Sequence, residues 1–327
     1  YRTEWWYYTG NLEAETGNQY GFQLTFFRSQ INAPADERRR PHPSSAWRAR
    51  QIYLGHAAIT DIFKKRHLQS ELMARGTLGM AGVSQEAMDT MVFIKNWSAK
   101  ITADRHLLKT VTDDFSYELT LKPAKPYVLH GDAGYSRKGS TPERASCYYS
   151  FPRLKTEGAL TFGAKTIAVE GLSWMDHEFS TAPLEPGIIG WDWFSLQLSD
   201  ETEIMLFLLR NDEGRFSRAS SGTFIDVSGK PRHLTKDDFR VDVLNSWKSP
   251  RSRAVYPVHW RHTVFPLAIQ LTAKANISDQ EMQPHATTGV TDWEGSISLN
   301  GSVGKRPVKG AGYVELTGYA QSFNAPM

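Results

Sequence analysis

The stretch Gly171–Phe179, which reads GLSWMDHEF, returns near the other end of the chain as Gly310–Leu316, which reads GAGYVEL. In both stretches a large aromatic residue follows the first glycine by three positions, and an acid follows it by five. Each stretch is preceded by another related segment, EGALTF at Glu157–Phe162 and EGSISL at Glu294–Leu299. Two motifs that recur in the same order indicate an internal repeat.

Segments nearer the start of each half also recur in register. They are Trp6–Tyr8, Thr25–Arg28 and Ser116–Pro126 in the first half, and Trp193–Ser195, Phe207–Arg210 and Ala268–Ile277 in the second. Unrelated β-rich segments can share such glycine and aromatic patterns, but several matches in one order are harder to obtain by chance. We therefore predict a duplicated β-domain, joined in the Pro- and Gly-rich stretch Ser180–Gly190, with domains at residues 1–180 and 188–327.

Short segments rich in aromatic and β-branched residues, bounded by Gly, Pro, Asn or Asp, dominate the chain. The clearest are Gln19–Arg28, Phe115–Leu121, Ile167–Phe179, Trp191–Leu198, Glu203–Leu209 and Ala311–Tyr319. Helical patterns are few, and short helices are expected at Ser84–Asn96 and Lys236–Ser246. The sequence predicts an all-β protein of two antiparallel barrels or sandwiches.

The composition is that of an ordinary globular protein, with 40% hydrophobic and 22% charged residues among 327. The 38 basic and 35 acidic residues nearly balance, so we expect no nucleic-acid partner. No apolar run approaches the ~18 residues of a membrane span. Cys147 is the single cysteine, which excludes an intrachain disulfide. Asn32–Arg50, with three prolines and an arginine run, is predicted to be a surface loop.

Two carboxyls and an indole are predicted to share one face of the strand that contains residues 171–179. Alternate strand side chains point the same way, so Trp174, Asp176 and Glu178 face one side and His177 the other. If that side is a barrel interior, burial raises the pKa of at least one carboxyl and keeps it protonated. The alternative is a barrel rim, with both carboxylates solvated or paired to arginine.

Consecutive strand residues cannot chelate one ion, so we expect no metal site at Asp176–Glu178, and no cofactor. Nucleophilic hydrolysis is disfavoured because the G-x-S-x-G motif is absent.

Two aromatic clusters, Glu4–Tyr8 and Trp191–Phe194, are attached to acids. Trp6, Tyr8, Trp191 and Trp193 would suit the wall of a cavity for an apolar polyene or isoprenoid, and their π faces would stabilise a carbocation. Packing alone is the alternative explanation. Because charged residues that end apolar strands need partners, Arg28 and Arg210 are predicted to pair with Glu4 and Asp192.

Together, several motifs resemble the AttH-like branch of the carotenoid 1,2-hydratase superfamily. They are Glu4–Tyr7, Phe26–Arg28, Gly55–Ile59, Trp174–Glu178, Gly190–Phe194, Tyr256–Pro257 with Trp260, Trp293–Gly295 and Tyr313–Tyr319. The resemblance implies two lipocalin-like, calycin-type β-barrels and a hydrophobic small-molecule ligand. Some relatives hydrate isoprenoid or isoflavonoid double bonds, and others catalyse cycloadditions. Many bacterial members carry export signals, which implies a periplasmic or secreted location, and are labelled secreted hydrolases.

The resemblance also assigns residues. The acid proposed for carotenoid hydratases falls on Asp176 and its aromatic neighbour on Trp174, whereas their upstream His is missing from Cys147–Ser150. Our leading hypothesis is acid-assisted hydration or cyclisation of an isoprenoid-derived molecule. Asp176 would protonate an alkene, Trp174 and Tyr149 would stabilise the cation, and His177 or Glu178 would position water. The alternative is a non-catalytic carrier or periplasmic binding protein for a lipophilic ligand, associated with an export system.

Overall fold

The computed structural model describes residues 1–31, 47–86, 89–181 and 184–323. Its strands form two antiparallel sheets, which divide between Ser180 and Ile188. Most of the predicted loop Asn32–Arg50 lies outside the described residues. No helix in the described ranges is long and apolar enough to cross a membrane.

The first sheet contains thirteen strands. They are β1 (Thr3–Ala14), β2 (Gln19–Gln30), β3 (Gln51–Asp61), β4 (Arg66–Arg75), β5 (Ala81–Glu86), β6 (Asp89–Ile94), β7 (Trp97–Ile101), β8 (His106–Val111), β9 (Ser116–Pro123), β10 (Val128–Leu129), β11 (Tyr135–Arg137), β12 (Ala145–Phe162) and β13 (Lys165–Ser180). The strand order is β4-β3-β2-β1-β13-β12-β9-β8-β7-β6-β5, and β10 and β11 pair with β12.

The second sheet contains ten strands. They are β14 (Ile188–Leu198), β15 (Glu203–Asn211), β16 (Ser221–Ile225), β17 (Pro231–Thr235), β18 (Phe239–Lys248), β19 (Val255–Val264), β20 (Ile269–Ala275), β21 (Glu281–Met282), β22 (Asp292–Val303) and β23 (Arg306–Thr317). The order is β17-β16-β15-β14-β23-β22-β20-β19-β18, and β21 pairs with β22. Short 3₁₀ turns cover Lys236–Asp238 and Phe265–Leu267.

The two sheets repeat one topology, because the first strand of each pairs with its last strand, β1 with β13 and β14 with β23. Tyr7 lies opposite Asp176, and Trp193 lies opposite Glu315. The all-β fold of two duplicated, barrel-like units is therefore confirmed. Trp193 corresponds to Tyr7, whereas sequence similarity aligns it with Trp6, because strand register rather than residue identity fixes equivalence. The predicted match of Glu157 with Glu294 is wrong for the same reason, since Glu294 lies opposite Glu315 and the residue opposite Asp176 is Ser150. The domain bounds 1–180 and 188–327 stay a prediction.

Both predicted helices are wrong. Ser84–Asn96 overlaps the hairpin of β5 and β6, and Lys236–Ser246 is one 3₁₀ turn followed by β18. Both segments are short and pair with neighbouring strands, and such tertiary pairing overrides a weak local helical pattern.

Each barrel has its own apolar core, and a third cluster joins the two. Trp6 and Tyr8 of β1 enter the first core, and Phe194 and Leu196 of β14 enter the second. The alternate side chains of these strands point out of the barrels and toward each other. The cluster between the barrels consists of Tyr7, Val128, Tyr148, Trp174, Trp193, Met205, Ile225 and Tyr313.

A buried ion network also fixes the barrels to each other. The Glu203 carboxylate, fully buried in the second sheet, accepts hydrogen bonds from Lys125, at 2.9 Å, and from Arg153, both of the first half. The backbones also approach closely, since a Cβ on Gly21 would lie 2.6 Å from the Cβ of Ser296. Their relative position is thus set by charge and shape together.

The predicted arginine pairs are confirmed. Arg28 Nε lies 2.7 Å from Glu4 Oε2, and Arg210 Nε lies 3.6 Å from Asp192 Oδ1. Both arginines therefore have acidic partners at the ends of corresponding strands.

Replacing Glu203 should destabilise the protein strongly. Glu203→Gln leaves Lys125 and Arg153 buried without their carboxylate, so we expect the free energy of unfolding to fall by about 3–5 kcal/mol. Urea unfolding followed by tryptophan fluorescence measures it. Glu118→Gln breaks an exposed pair with Lys109 and is the matched control, with little expected change. A similar decrease in the free energy of unfolding in both variants would contradict the role of Glu203 in holding the two barrels together.

Candidate functional site

A cavity of about 350 Å³ lies between the two barrels and is walled largely by aromatic side chains. These are Trp5, Tyr7, Phe27, Tyr148, Trp191, Trp193, Phe207 and Phe323. Carboxyl groups of both halves line the same cavity, and they are Glu4, Asp176, Glu178, Asp292, Glu294 and Glu315. The cavity thus combines an apolar wall with a concentration of acids.

Asp176 does not point into a barrel interior, which is one of the two locations expected from strand alternation. It lies on the outer face of the first barrel, beside Tyr7 of the neighbouring strand, and the second barrel covers it to 3% exposure. The barrel interior receives Met175 of the same strand instead. The burial that can keep the Asp176 carboxyl protonated is therefore provided by the interface between the barrels.

The Asp176 carboxyl is surrounded by neutral hydrogen-bond donors. Oδ1 accepts from Trp174 Nε1, at 2.5 Å, and from the Ser150 hydroxyl, while Oδ2 accepts from the Tyr148 hydroxyl. Burial raises the pKa of Asp176 to about 7, although the three donors act in the opposite direction, and the nearby Glu178 raises it further. A substantial fraction of Asp176 is therefore protonated at neutral pH.

Glu178, the other acid on this face, differs because it has a cationic partner. Lys138 Nζ lies 3.1 Å from Glu178 Oε1. The same ammonium lies 3.9 Å from the centre of the Phe207 ring and 4.9 Å from that of Tyr148. The two acids that the sequence places together are thus distinct in environment, one among neutral donors and one in an ion pair.

The second barrel contributes a cluster of three carboxyls, Asp292, Glu294 and Glu315, with oxygens within 4.8 Å of one another. Burial, followed by mutual repulsion, raises the pKa of Asp292 and Glu294 well above the ordinary range. Burial also raises the pKa of Glu315, to about 7. An oxygen-only set suits a hard cation such as Mg²⁺ or Ca²⁺, yet shared protons relieve the same repulsion.

The structure separates the predicted site residues into two groups. Asp176, Glu178, Trp191 and Trp193 line the cavity, and Trp174 contacts Asp176 directly. The remaining four, His177, Tyr149, Trp6 and Tyr8, do not line it.

The side chain of His177 lies on the opposite face of β13 from that of Asp176. Its ring nitrogens lie 2.8 Å from Glu4 Oε1 and 2.9 Å from the Tyr149 hydroxyl, and its ring stacks on Trp6. The adjacent Tyr8 is buried in the first core, where its hydroxyl lies 3.1 Å from His106 Nδ1. These residues are therefore poorly placed to contact a ligand between the barrels or to position water there.

Sequence reasoning missed Tyr148, which takes the place expected for Tyr149. Tyr148 lies opposite Glu178 in the pairing of β12 with β13, and so shares its face. It also missed Tyr7, Glu294 and Glu315. The signal was present, because Glu294 and Glu315 belong to the repeated motifs that predict the duplication.

The two halves exchange hydrogen bonds donated from corresponding positions. The Tyr7 hydroxyl of β1 donates to Glu294 of the second barrel, and Trp193 Nε1 of β14 donates to the Tyr148 hydroxyl of the first, at 3.0 Å. Since Tyr7 corresponds to Trp193, the two donors are equivalent, whereas the acceptors lie two residues apart in register because Glu294 corresponds to Ser150. Strand pairing likewise relates Asp176 to Glu315.

Comparison with known proteins gives consistent matches. The model of a family described as AttH-like matches residues 1–319. Kievitone hydratase of Fusarium solani subsp. phaseoli is 23% identical over 218 residues, which cover 62% of this chain and 57% of that protein. The matched region thus spans little more than half of that hydratase.

Solved structures agree on the fold. An AttH-type protein of Nitrosomonas europaea is 32% identical, with a TM-score of 0.85, over 98% of this chain and 93% of that one. Kievitone hydratase of Nectria haematococca is 17% identical, with a TM-score of 0.70, over 97% and 89%. The second match is a likeness of fold alone.

The raised pKa of Asp176 predicts a pH-dependent cost to stability. The pKa of Asp176 in the folded state, about 7, exceeds the ordinary ~3.9 of an unfolded chain. The protonated carboxyl therefore contributes fully to the free energy of unfolding below about pH 4, and this contribution is lost as the pH rises through 7. Relative to Asp176→Asn, the parent should lose up to roughly 4 kcal/mol across this window. Urea unfolding at several pH values measures the difference. A difference between the parent and Asp176→Asn that does not change with pH would contradict the prediction.

Proposed function

This chain belongs to the AttH-like family, and we propose that it adds water to a carbon–carbon double bond of an apolar small molecule held between its barrels. An acid-assisted cyclisation of the same kind of substrate is the closely related possibility. The observation that carries the proposal is Asp176, a buried acid held by neutral donors at the wall of an aromatic cavity. The family match, and a relative that is a kievitone hydratase, support it.

The cavity favours an apolar, isoprenoid-derived substrate. Phe27 and Leu54 of the first half and Trp191 and Phe207 of the second offer apolar surface. Burial of hydrocarbon against such surface contributes about 25 cal/mol for each Å² removed from water. A prenyl group would fit within this space and bring its double bond toward the acids.

The proposed reaction begins with proton transfer from Asp176. The alkene π electrons form a bond to this proton, and the more substituted carbon becomes a cation. The aromatic faces of Trp193 and Tyr148 stabilise that cation while the cavity excludes bulk water. Asp176 is left as a carboxylate, which its three hydrogen-bond donors stabilise.

Water then completes the addition. Its oxygen bonds to the cationic carbon, and one of its protons passes to a carboxylate on the opposite wall. Glu315 suits this role because its pKa, about 7, leaves part of it ionised at neutral pH. In the cyclising variant, an electron-rich group of the substrate takes the place of water.

The surroundings of Asp176 favour catalysis over carriage. A carrier would be expected to hold Asp176 as a permanent carboxylate, tied to an arginine. Among the described residues, Arg28 and Arg210 pair instead with Glu4 and Asp192. Asp176 is thus left able to exchange its proton.

Removing the transferable proton should abolish turnover. Asp176→Asn retains the shape of the carboxyl, so we expect a 10²- to 10⁴-fold lower rate with binding preserved. The assay uses kievitone and a panel of prenylated alkenes in ¹⁸O-labelled water, and mass spectrometry detects the labelled alcohol or the cyclised isomer.

Glu170→Gln, an exposed acid on the same strand, is the control and should keep the parent rate. Parent-like turnover by Asp176→Asn would exclude this acid. Tight binding of the panel by the parent with no product would favour the carrier.

A further inference from the structure

A continuous chain of hydrogen bonds leads away from Asp176 on the side opposite its contact with Trp174. The Ser150 hydroxyl donates to Asp176 Oδ1, and Ser150 Oγ lies 2.6 Å from His130 Nε2. His130 Nδ1 in turn lies 2.8 Å from the hydroxyl of Thr223. Thr223 belongs to the second barrel, so the chain crosses from one barrel to the other.

The chain is enclosed, since none of its four side chains is more than 3% exposed. Burial lowers the pKa of His130 to about 3, and the charges of Lys138 and His233 act in the same direction. His130 is therefore neutral, with one N–H donor and one acceptor nitrogen.

The hydrogen bonds share one direction. Ser150 has a single proton and commits it to Asp176, so His130 Nε2 carries the hydrogen and donates to Ser150 Oγ. Nδ1 is then the acceptor, and the Thr223 hydroxyl donates to it. Every hydrogen in the chain points toward Asp176.

The outer end of the chain reaches a groove distinct from the cavity. Thr223 borders this groove together with Pro126, Leu129, Pro231 and the exposed His233. The groove and the cavity have no lining residue in common. A substrate that fills the cavity would therefore leave this groove open to water.

We propose that Thr223, His130 and Ser150 form a proton relay that returns a proton from groove water to the Asp176 carboxylate. The catalytic use of the relay rests on the proposed function, but the relay itself concerns only how Asp176 exchanges protons. A proton from groove water binds Thr223 Oγ1 as the threonine proton moves to His130 Nδ1. The Nε2 proton moves to Ser150 Oγ, and the serine proton moves to Asp176 Oδ1. One proton enters, and one carboxylate is neutralised.

The test follows the protonated carboxyl band of Asp176 by time-resolved infrared spectroscopy after a pH jump, on the whole chain saturated with 3-methylbutan-1-ol, a prenyl analogue without a double bond. The analogue occupies the cavity that Asp176 lines, so water there does not protonate this carboxyl directly. Loss of the band in Asp176→Asn assigns it. Thr223→Val removes the outermost hydroxyl with little change in shape. It should slow the appearance of the band after the pH jump by about tenfold or more, while the pH at the midpoint of its equilibrium titration stays the same. Thr223→Ser restores the hydroxyl and should recover the parent rate.

Thr110→Val, which alters a buried threonine of β8, is the matched control and should behave like the parent. His130→Gln tests the middle of the chain if Thr223→Val fails to fold, because an amide holds hydrogen bonds without passing the proton on. Parent-like rates in the folded relay variants would overturn the relay and leave Asp176 as the acid. A parent Asp176 that titrates in the ordinary carboxyl range would instead overturn the proposed function.

Discussion

The removal of carboxyl groups from water between two barrels is the constraint on which the site depends. Asp176, Asp292 and Glu294 are buried where the barrels meet, Glu315 is half-buried beside them, and desolvation is the first cause of each raised pKa. A carboxylate in such a place is costly unless it is paired. Protons relieve that cost, so the packing that closes the interface also raises the pKa of these carboxyls, to about 7 for Asp176 and Glu315.

Duplication explains how one chain assembles this interface. Each barrel presents the outward face of its first and last strands, and the two faces meet with hydrogen bonds donated by the equivalent residues Tyr7 and Trp193. The halves have then diverged at corresponding positions. Ser150 of the first barrel, which lies opposite Asp176, corresponds to Glu294, which lies opposite Glu315. One half therefore holds an acid among neutral donors, and the other holds a carboxyl cluster.

The site also departs from the hydratase pattern in an informative way. The histidine that the resemblance places roughly a strand upstream of the acid, within Cys147–Ser150, is absent, and Tyr148 and Ser150 contact Asp176 instead. His130, from a separate segment, approaches the same carboxyl through Ser150. A histidine is thus connected to the acid by a different route, through a serine hydroxyl.

The sequence by itself determined the all-β class, the duplication, the shared face of Trp174, Asp176 and Glu178, and the arginine pairs at the strand ends, but not the strands at Ser84–Asn96 and Lys236–Ser246. These follow from local alternation, from repeated motifs and from the need of a buried charge for a partner. Only the tertiary structure decided which face of β13 enters the barrel, because both faces carry apolar and polar residues and alternation treats them alike. As a result, Tyr149 and His177 do not line the cavity, whereas Tyr148, Glu294 and Glu315 do. The contacts involved join residues far apart in the chain, and their register depends on how two complete barrels pack against each other.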